Sequence, residues 1–164
     1  MAETFSNTKN TVLVIGGGMG GLIAAIQAQD CGAQAIVIEK SPDVNRSSTA
    51  IAGGGFSIHV KPYGELTQTE LILAFQQTSD YQCDLDLVSV FARRLAMDFA
   101  WLKDDLGLSF APNPARKGGF LVVGRGAAIP PFLEKVAREK GVDFQFSTSA
   151  NKLLTDGNGK VVGL

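Results

Sequence analysis

The sequence has few of the residues from which metal, disulfide or charge-driven sites are built. Its 164 residues contain one histidine, His59, and two cysteines, Cys31 and Cys83. A single imidazole gives no His pair for a metal ion and no histidine base to spare for a serine nucleophile elsewhere; His59 reads as a structural or surface residue. The cysteines form no CxxC pairing, which argues against both a disulfide framework and a zinc site and fits two buried thiols in a reducing compartment. Basic and acidic residues nearly balance, 15 against 16, so no net field gathers nucleic acid or an anionic membrane. No apolar run approaches the ~18 residues that suggest a membrane span. The polar start MAETFSNTKN lacks the apolar core of a secretory signal. Repeats and low-complexity tracts are absent. The chain therefore reads as a soluble, cytoplasmic protein of one ordinary domain, with no nucleic-acid partner and no membrane span.

Glycine is in surplus. There are 19 in 164 residues, about 12% against a usual ~7%, clustered at 16–21, 53–55, 118–126 and 157–163. Thr11–Ile15 (TVLVI) is a short apolar run ending at glycines, as expected of a central strand buried on both faces of a parallel sheet. Residues 22–30 predict a close-packing helix rich in alanine, with Gly32 as its cap. Residues 35–38 (AIVI) predict a second strand, which completes a βαβ unit.

Residues 41–65 show no helical period and read as a long loop with an extended piece at 56–60. Thr67 with Glu70 fits a capping box opening a helix to about Gln77. Asp84 caps a longer helix whose apolar stripe falls at 87, 91, 95, 99, 102 and 106, ending at Gly107. A strand is expected at 120–123. Pro130 and Pro131 suit the first turn of a helix that runs to Lys140. A third strand of the parallel sheet is expected at 142–146, then a hairpin of 150–155 and 160–164 around Asp156-Gly157-Asn158-Gly159.

Gly16-x-Gly18-x-x-Gly21 opens a helix directly after a buried strand, the context that gives this glycine spacing its meaning. Gly16 allows the tight turn, Gly18 lets a pyrophosphate approach the backbone, and Gly21 lets helix and strand pack closely. The helix N-terminus adds free N–H groups and about half a positive charge. Glu39 ends the second strand where an acid would accept hydrogen bonds from a ribose hydroxyl pair, and its charge disfavours a 2′-phosphate. These features suit FAD and NAD equally. The hydroxyls of Ser47, Ser48 and Thr49, followed by Gly53 and Gly54, suit a flavin better, as donors beside backbone that a flat ring can approach.

The stretch VLVIGGGMGGLIAAIQAQDCGAQAIVIEK resembles the N-terminal signature of the fumarate reductase/succinate dehydrogenase flavoprotein family. Residues 46–55 (RSSTAIAGGG) are similar to that family's second FAD segment, and 92–110 and 126–164 to later stretches. The resemblance implies an α/β, Rossmann-like FAD-binding domain over 11–164, after a flexible stretch at 1–10, with non-covalent FAD as cofactor. It also implies cofactor contacts from Gly16, Gly18, Gly20, Gly21, Glu39, Lys40, Ser47, Ser48, Thr49, Gly53, Gly54 and Ala150, the last at the adenine. Ser48 stands where covalently flavinylated relatives carry histidine.

The implied activity is hydride transfer between flavin N5 and a small organic substrate, with no catalytic residue assignable here. By the same comparison the chain is expected to be truncated, without the capping domain and the C-terminal closing segment. It could then associate with itself or a partner chain through an open side. A non-catalytic nucleotide-binding module completed by a partner, or an NAD-binding Rossmann domain, are the alternatives.

Overall fold

The computed structural model describes residues 10–164; the expected flexible start lies, apart from Asn10, outside the described residues. In chain order the elements begin β1 (Thr11–Ile15), α1 (Met19–Asp30), β2 (Gln34–Ile38), the one-turn helix α2 (Ser48–Ile51) and β3 (Gly55–Ser57). There follow α3 (Gln68–Thr78), α4 (Leu85–Ala100), β4 (Phe110–Pro112), β5 (Gly119–Val122), α5 (Ile129–Glu139), β6 (Asp143–Gln145), β7 (Leu154–Thr155) and β8 (Val161–Gly163). These make two compact units, one of residues 10–52 with Gly126–Leu164 and the other of Gly53–Arg125.

The first unit is α/β. β1, β2 and β6 form a parallel sheet in that order, with Thr11 opposite Gln34 and Ile36 opposite Asp143. Leu22, Ala25 and Ile26, spaced one helical turn apart, are the buried residues of α1, and Leu133 and Ala137 continue the core from α5. Burying each such leucine or isoleucine is worth roughly 1.5–3 kcal/mol. α1 ends as expected at Gly32, whose φ of +83° suits glycine while its N–H donates to Gln29 O. Pro130 and Pro131 lie in the first turn of α5, where a missing N–H costs nothing.

Two expectations change here. β1 is an edge strand of this sheet and β2 the centre; Val12 and Ile15 are 39% and 57% exposed, so β1 is not buried on both faces. An apolar run reports affinity for cover, and only the tertiary fold decides how much cover it gets. The hairpin forms with shorter arms, β7 pairing antiparallel with β8, and Ala150 lies in exposed coil before it.

The second unit packs α3 and α4 with the antiparallel sheet β3-β5-β4. Phe99 of α4 is its pivot, with ring centroids 4.6 Å from Phe120, 4.8 Å from Phe110 and 4.9 Å from Tyr63. The capping box of α3 is present, Thr67 Oγ1 accepting from Glu70 N while Glu70 accepts from Thr67 N. Asp84 caps α4 by accepting from Leu87 N at 3.0 Å.

The expected α4 stripe holds in its second half, where Phe99 and Leu102 are buried and Leu95 packs against the core. In its first half it fails: Leu87 and Phe91 are exposed, and Val88 and Ala92 are buried in their place. Apolar residues occur on both sides of this helix, and periodicity alone could not say which side meets the sheet. The helix continues as a π-helical turn over Trp101–Asp105 before Gly107.

Candidate cofactor site

Gly16 follows β1 with φ +101°, a backbone that glycine alone adopts freely, and its N–H donates to Ile38 O at 2.9 Å. The chain thus turns from β1 into α1 while pinned to the end of β2. A Cβ at Gly21 would run into Gly16 O and lie 3.2 Å from Val14 Cγ1, the close helix-strand packing expected of that position. Gly18 is the N-cap of α1, in extended backbone, and supplies no side chain to its open N–H groups. Gly20 is exposed, with nothing within 4 Å of where a Cβ would stand.

Within the first unit, the part of the expected loop that runs from Ser41 to Ala52 approaches this helix end as short turns. Asp43 accepts from Asn45 N at 2.8 Å and starts a 3-10 turn, Val44–Arg46. Ser47 then precedes α2, a helix too short for any periodicity to reveal. Thr49 Oγ1 accepts from Met19 N at 3.1 Å, taking one of the orphan donors of α1. A Cβ at Gly18 would lie 3.6 Å from Thr49 Oγ1 and 3.9 Å from Ser47 Cβ, an ordinary separation. Gly18 is therefore not required by its protein neighbours. Ser47 Oγ is buried with no hydrogen-bond partner in the structure, which a satisfied protein interior rarely leaves. Ser48 is exposed.

Glu39 is 8% exposed and is the one buried charged residue among those described. Its Oε2 accepts from Gly17 N at 2.7 Å and its Oε1 from Ser41 N at 2.8 Å. Burial pushes its pKa up, but hydrogen bonds from Gly17 and Ser41, with the Lys40 charge, outweigh that and hold it below the ordinary value. The Ser41 side chain also donates to this carboxylate, and with about four lone-pair sites on its two oxygens the group keeps room for a further hydroxyl donor. The chain after β6 is fixed beside this residue, Thr148 N donating to Glu39 O and Ser147 N to Ser41 O, and it leads to Ala150. Lys40 is exposed at the same strand end.

Gly53 and Gly54 belong to the second unit, where Gly54 O accepts from Val122 N at 2.9 Å. His59 and Arg125 are exposed. Both cysteines are free, and neither is buried as expected: Cys31 is exposed and Cys83 half-buried. No helix among the described residues is long and apolar enough to cross a membrane.

Sequence reasoning missed Gly17 and Ser41 as donors to Glu39, and Gly126 beneath α2. The run of three glycines was a usable signal for the first, since a Cβ at Gly17 would meet Val44 Cγ1 at 3.2 Å and Glu39 Cγ at 3.4 Å. The other two left no local signature.

The FAD binding domain family matches residues 11–164. The chain belongs to that family. FAD is accordingly its cofactor, and the resemblance read from residues 12–55 holds. The chain is 28% identical over 165 residues to the protein named "Probable fumarate reductase Ifc3" of Shewanella frigidimarina, covering 93% of this chain and 28% of that one. It is 26% identical over 170 residues to a urocanate reductase of Eggerthella lenta, covering 93% and 27%. Among solved structures, the open conformation of a flavocytochrome c3 fumarate reductase superposes with a TM-score of 0.78 at 23% identity, covering 94% of this chain and 30% of that one. The FAD-binding chain thus spans under a third of the length of these relatives.

Proposed function

We propose that residues 11–164 are the FAD-binding portion of a flavin-dependent oxidoreductase, acting on a small organic substrate such as a dicarboxylate. The observation that carries this is the meeting of Gly18, Ser47 and Thr49 at the N-terminus of α1, where a buried hydroxyl lacks a partner and no protein neighbour stands close enough to demand a glycine. Bound there, FAD would supply hydride transfer at flavin N5.

The chain's part is to hold and orient. Gly16, Gly18, Gly20 and Gly21 present backbone and the helix end to the pyrophosphate. Ser47 donates its free O–H, and Thr49, already accepting from Met19, keeps its own O–H to donate. Ser48 and Lys40 face solvent at the rim and add polar contacts there. Glu39 accepts from the adenosine ribose hydroxyls with its remaining lone pairs, Ala150 offers backbone to the adenine, and Gly53 and Gly54 offer backbone to the ring system. The cofactor is held without a covalent bond, since Ser48 replaces the histidine of covalent relatives. The setting is cytoplasmic, where exposed Cys31 stays a thiol.

The similarity to reductases named for fumarate and urocanate supports a small acid as substrate. The reading commits to weak FAD binding and no turnover by these 164 residues alone. Titration with FAD followed by flavin fluorescence tests the first part, and oxidation of a reduced dye with fumarate as acceptor tests the second. Absence of FAD binding would refute the cofactor reading. Robust turnover would show a complete active site and refute the assignment as a cofactor-binding portion.

A further inference from the structure

We infer that Gly126, which no sequence motif singled out, is a positioning residue for the Ser47–Thr49 segment. It acts by letting α2 lie against the turn that leads into α5. This rests on the cofactor reading above, because that segment matters to function only if it contacts the cofactor.

Gly126 is buried and opens the 3-10 turn Gly126–Ala128 before α5. A Cβ built on it would stand 2.5 Å from Thr49 O, closer still to Ala52 O, and 2.8 Å from Ala52 C. All three are backbone atoms, so no side chain can swing away. Something must move by about 1 Å to restore van der Waals contact.

The two sides of this contact are unequally anchored. α5 is fixed by the buried Ile129, Pro130, Leu133 and Ala137, and its Arg138 lies 4.4 Å over the Phe144 ring. α2 has four residues, none buried, and its Ile51 is 87% exposed. The displacement therefore falls on α2. Its tie to α1 is the single side-chain bond from Met19 N to Thr49 Oγ1, and Ser47 immediately precedes it. Moving α2 breaks that bond and withdraws both hydroxyls from the helix end beside Gly18. A misplacement of this size commonly costs far more in function than in fold.

The test is Gly126→Ala in the 164-residue chain, beside Gly64→Ala as control. A Cβ at Gly64 would clash equally hard, with His59 backbone atoms, at a position with no part in the proposed site. Three quantities are read: thermal midpoint without cofactor, FAD dissociation constant by fluorescence titration, and amide hydrogen exchange.

Gly126→Ala is expected to stay folded and to weaken FAD binding roughly tenfold or more, the loss of about one charge-assisted hydrogen bond. Exchange should quicken at Met19, Ala50 and Ala52 while the α5 amides keep wild-type protection. Gly64→Ala should lower the midpoint and leave FAD affinity within about twofold of wild type, inside ~0.4 kcal/mol. Wild-type FAD affinity in Gly126→Ala would overturn the inference, as would loss of protection in α5 with α2 unchanged. Failure of Gly126→Ala to fold would overturn it too, since the strain would then lie in the core and not on α2. If the wild-type chain binds no FAD, the cofactor reading fails by itself, and the exchange pattern still reports whether Gly126 positions α2.

Discussion

Glu39→Gln isolates the charge that joins the glycine turn to the end of β2. In the wild type each carboxylate oxygen takes a backbone N–H, from Gly17 at 2.7 Å and Ser41 at 2.8 Å. A glutamine fills the same volume with one oxygen and one NH2, so one of the two N–H groups meets a donor. One charge-assisted bond is lost, about 1.5–3 kcal/mol, and a donor is left unsatisfied, about 1–3 kcal/mol if it stays buried. Ser41 N is only partly buried and can turn to water, so the smaller second figure applies, and the expected loss is about 2.5–4 kcal/mol. For a chain of this size that lowers the melting midpoint by about 5–16 °C.

Urea and thermal unfolding of the cofactor-free protein at neutral pH measure it, and pH gives an independent check of cause. The folded pKa of Glu39 lies below its ordinary value of 4.5. Its contribution is therefore complete above about pH 4.5 and is lost as pH falls through the lower folded value. Position 39 does not titrate in the glutamine variant, so the stability gap should be constant from neutral pH to about 4.5 and narrow below it. Equal stability of the two proteins, or a gap unchanged down to pH 3, would refute the assignment of this carboxylate as a charged acceptor.

Glu39→Ala should weaken FAD binding roughly 10- to 100-fold, by loss of a charged hydrogen-bond acceptor; an unchanged dissociation constant would remove it from the ribose contact. Gly18→Ala should leave the cofactor-free midpoint within about 2 °C, because a Cβ there stands at ordinary distances, yet cost tenfold or more in FAD affinity; titration and calorimetry read the two effects. Acid precipitation of the FAD complex should release all flavin to the supernatant, and colour kept in the pellet would contradict the non-covalent reading at Ser48. Asp84→Ala should cost about 1 kcal/mol through loss of the α4 cap, whereas Phe99→Ala should cost about 3–5 kcal/mol through loss of the aromatic pivot, both by urea unfolding.

What could be read from the sequence was whatever is enforced locally. The strand at 11–15, the glycine turn, the helix caps at Thr67 and Asp84 and the proline start of α5 each follow from one residue's conformational demand or from a period of two or 3.6. Gly21 belongs to this class, because its neighbour across the turn, Gly16, is only five positions away. What went astray depended on partners that local pattern does not specify. TVLVI has the composition of a covered strand, yet cover is supplied by whatever lies beyond β1, so it occupies an edge of the sheet. On α4 the stripe was right at Phe99, which packs on Phe110 and Phe120, and wrong at Leu87 and Phe91, because the first turns also carry Val88 and Ala92 and these meet the core instead.

The candidate site divides along the same line, and the division has a physical basis. Its proposed contacts are glycines and small hydroxyls whose spacing is the motif itself. Its scaffolding is made of long-range bonds, Gly17 to Glu39 across 22 residues and Met19 to Thr49 across 30, with Gly126 pressed beneath α2 from farther still. A contact residue must present a particular chemical group, which restricts its type and makes it visible. A backbone donor or a point of close approach asks only for an N–H or for the absence of a side chain. Among 19 glycines, such a position is distinguished only once the chain is folded against it.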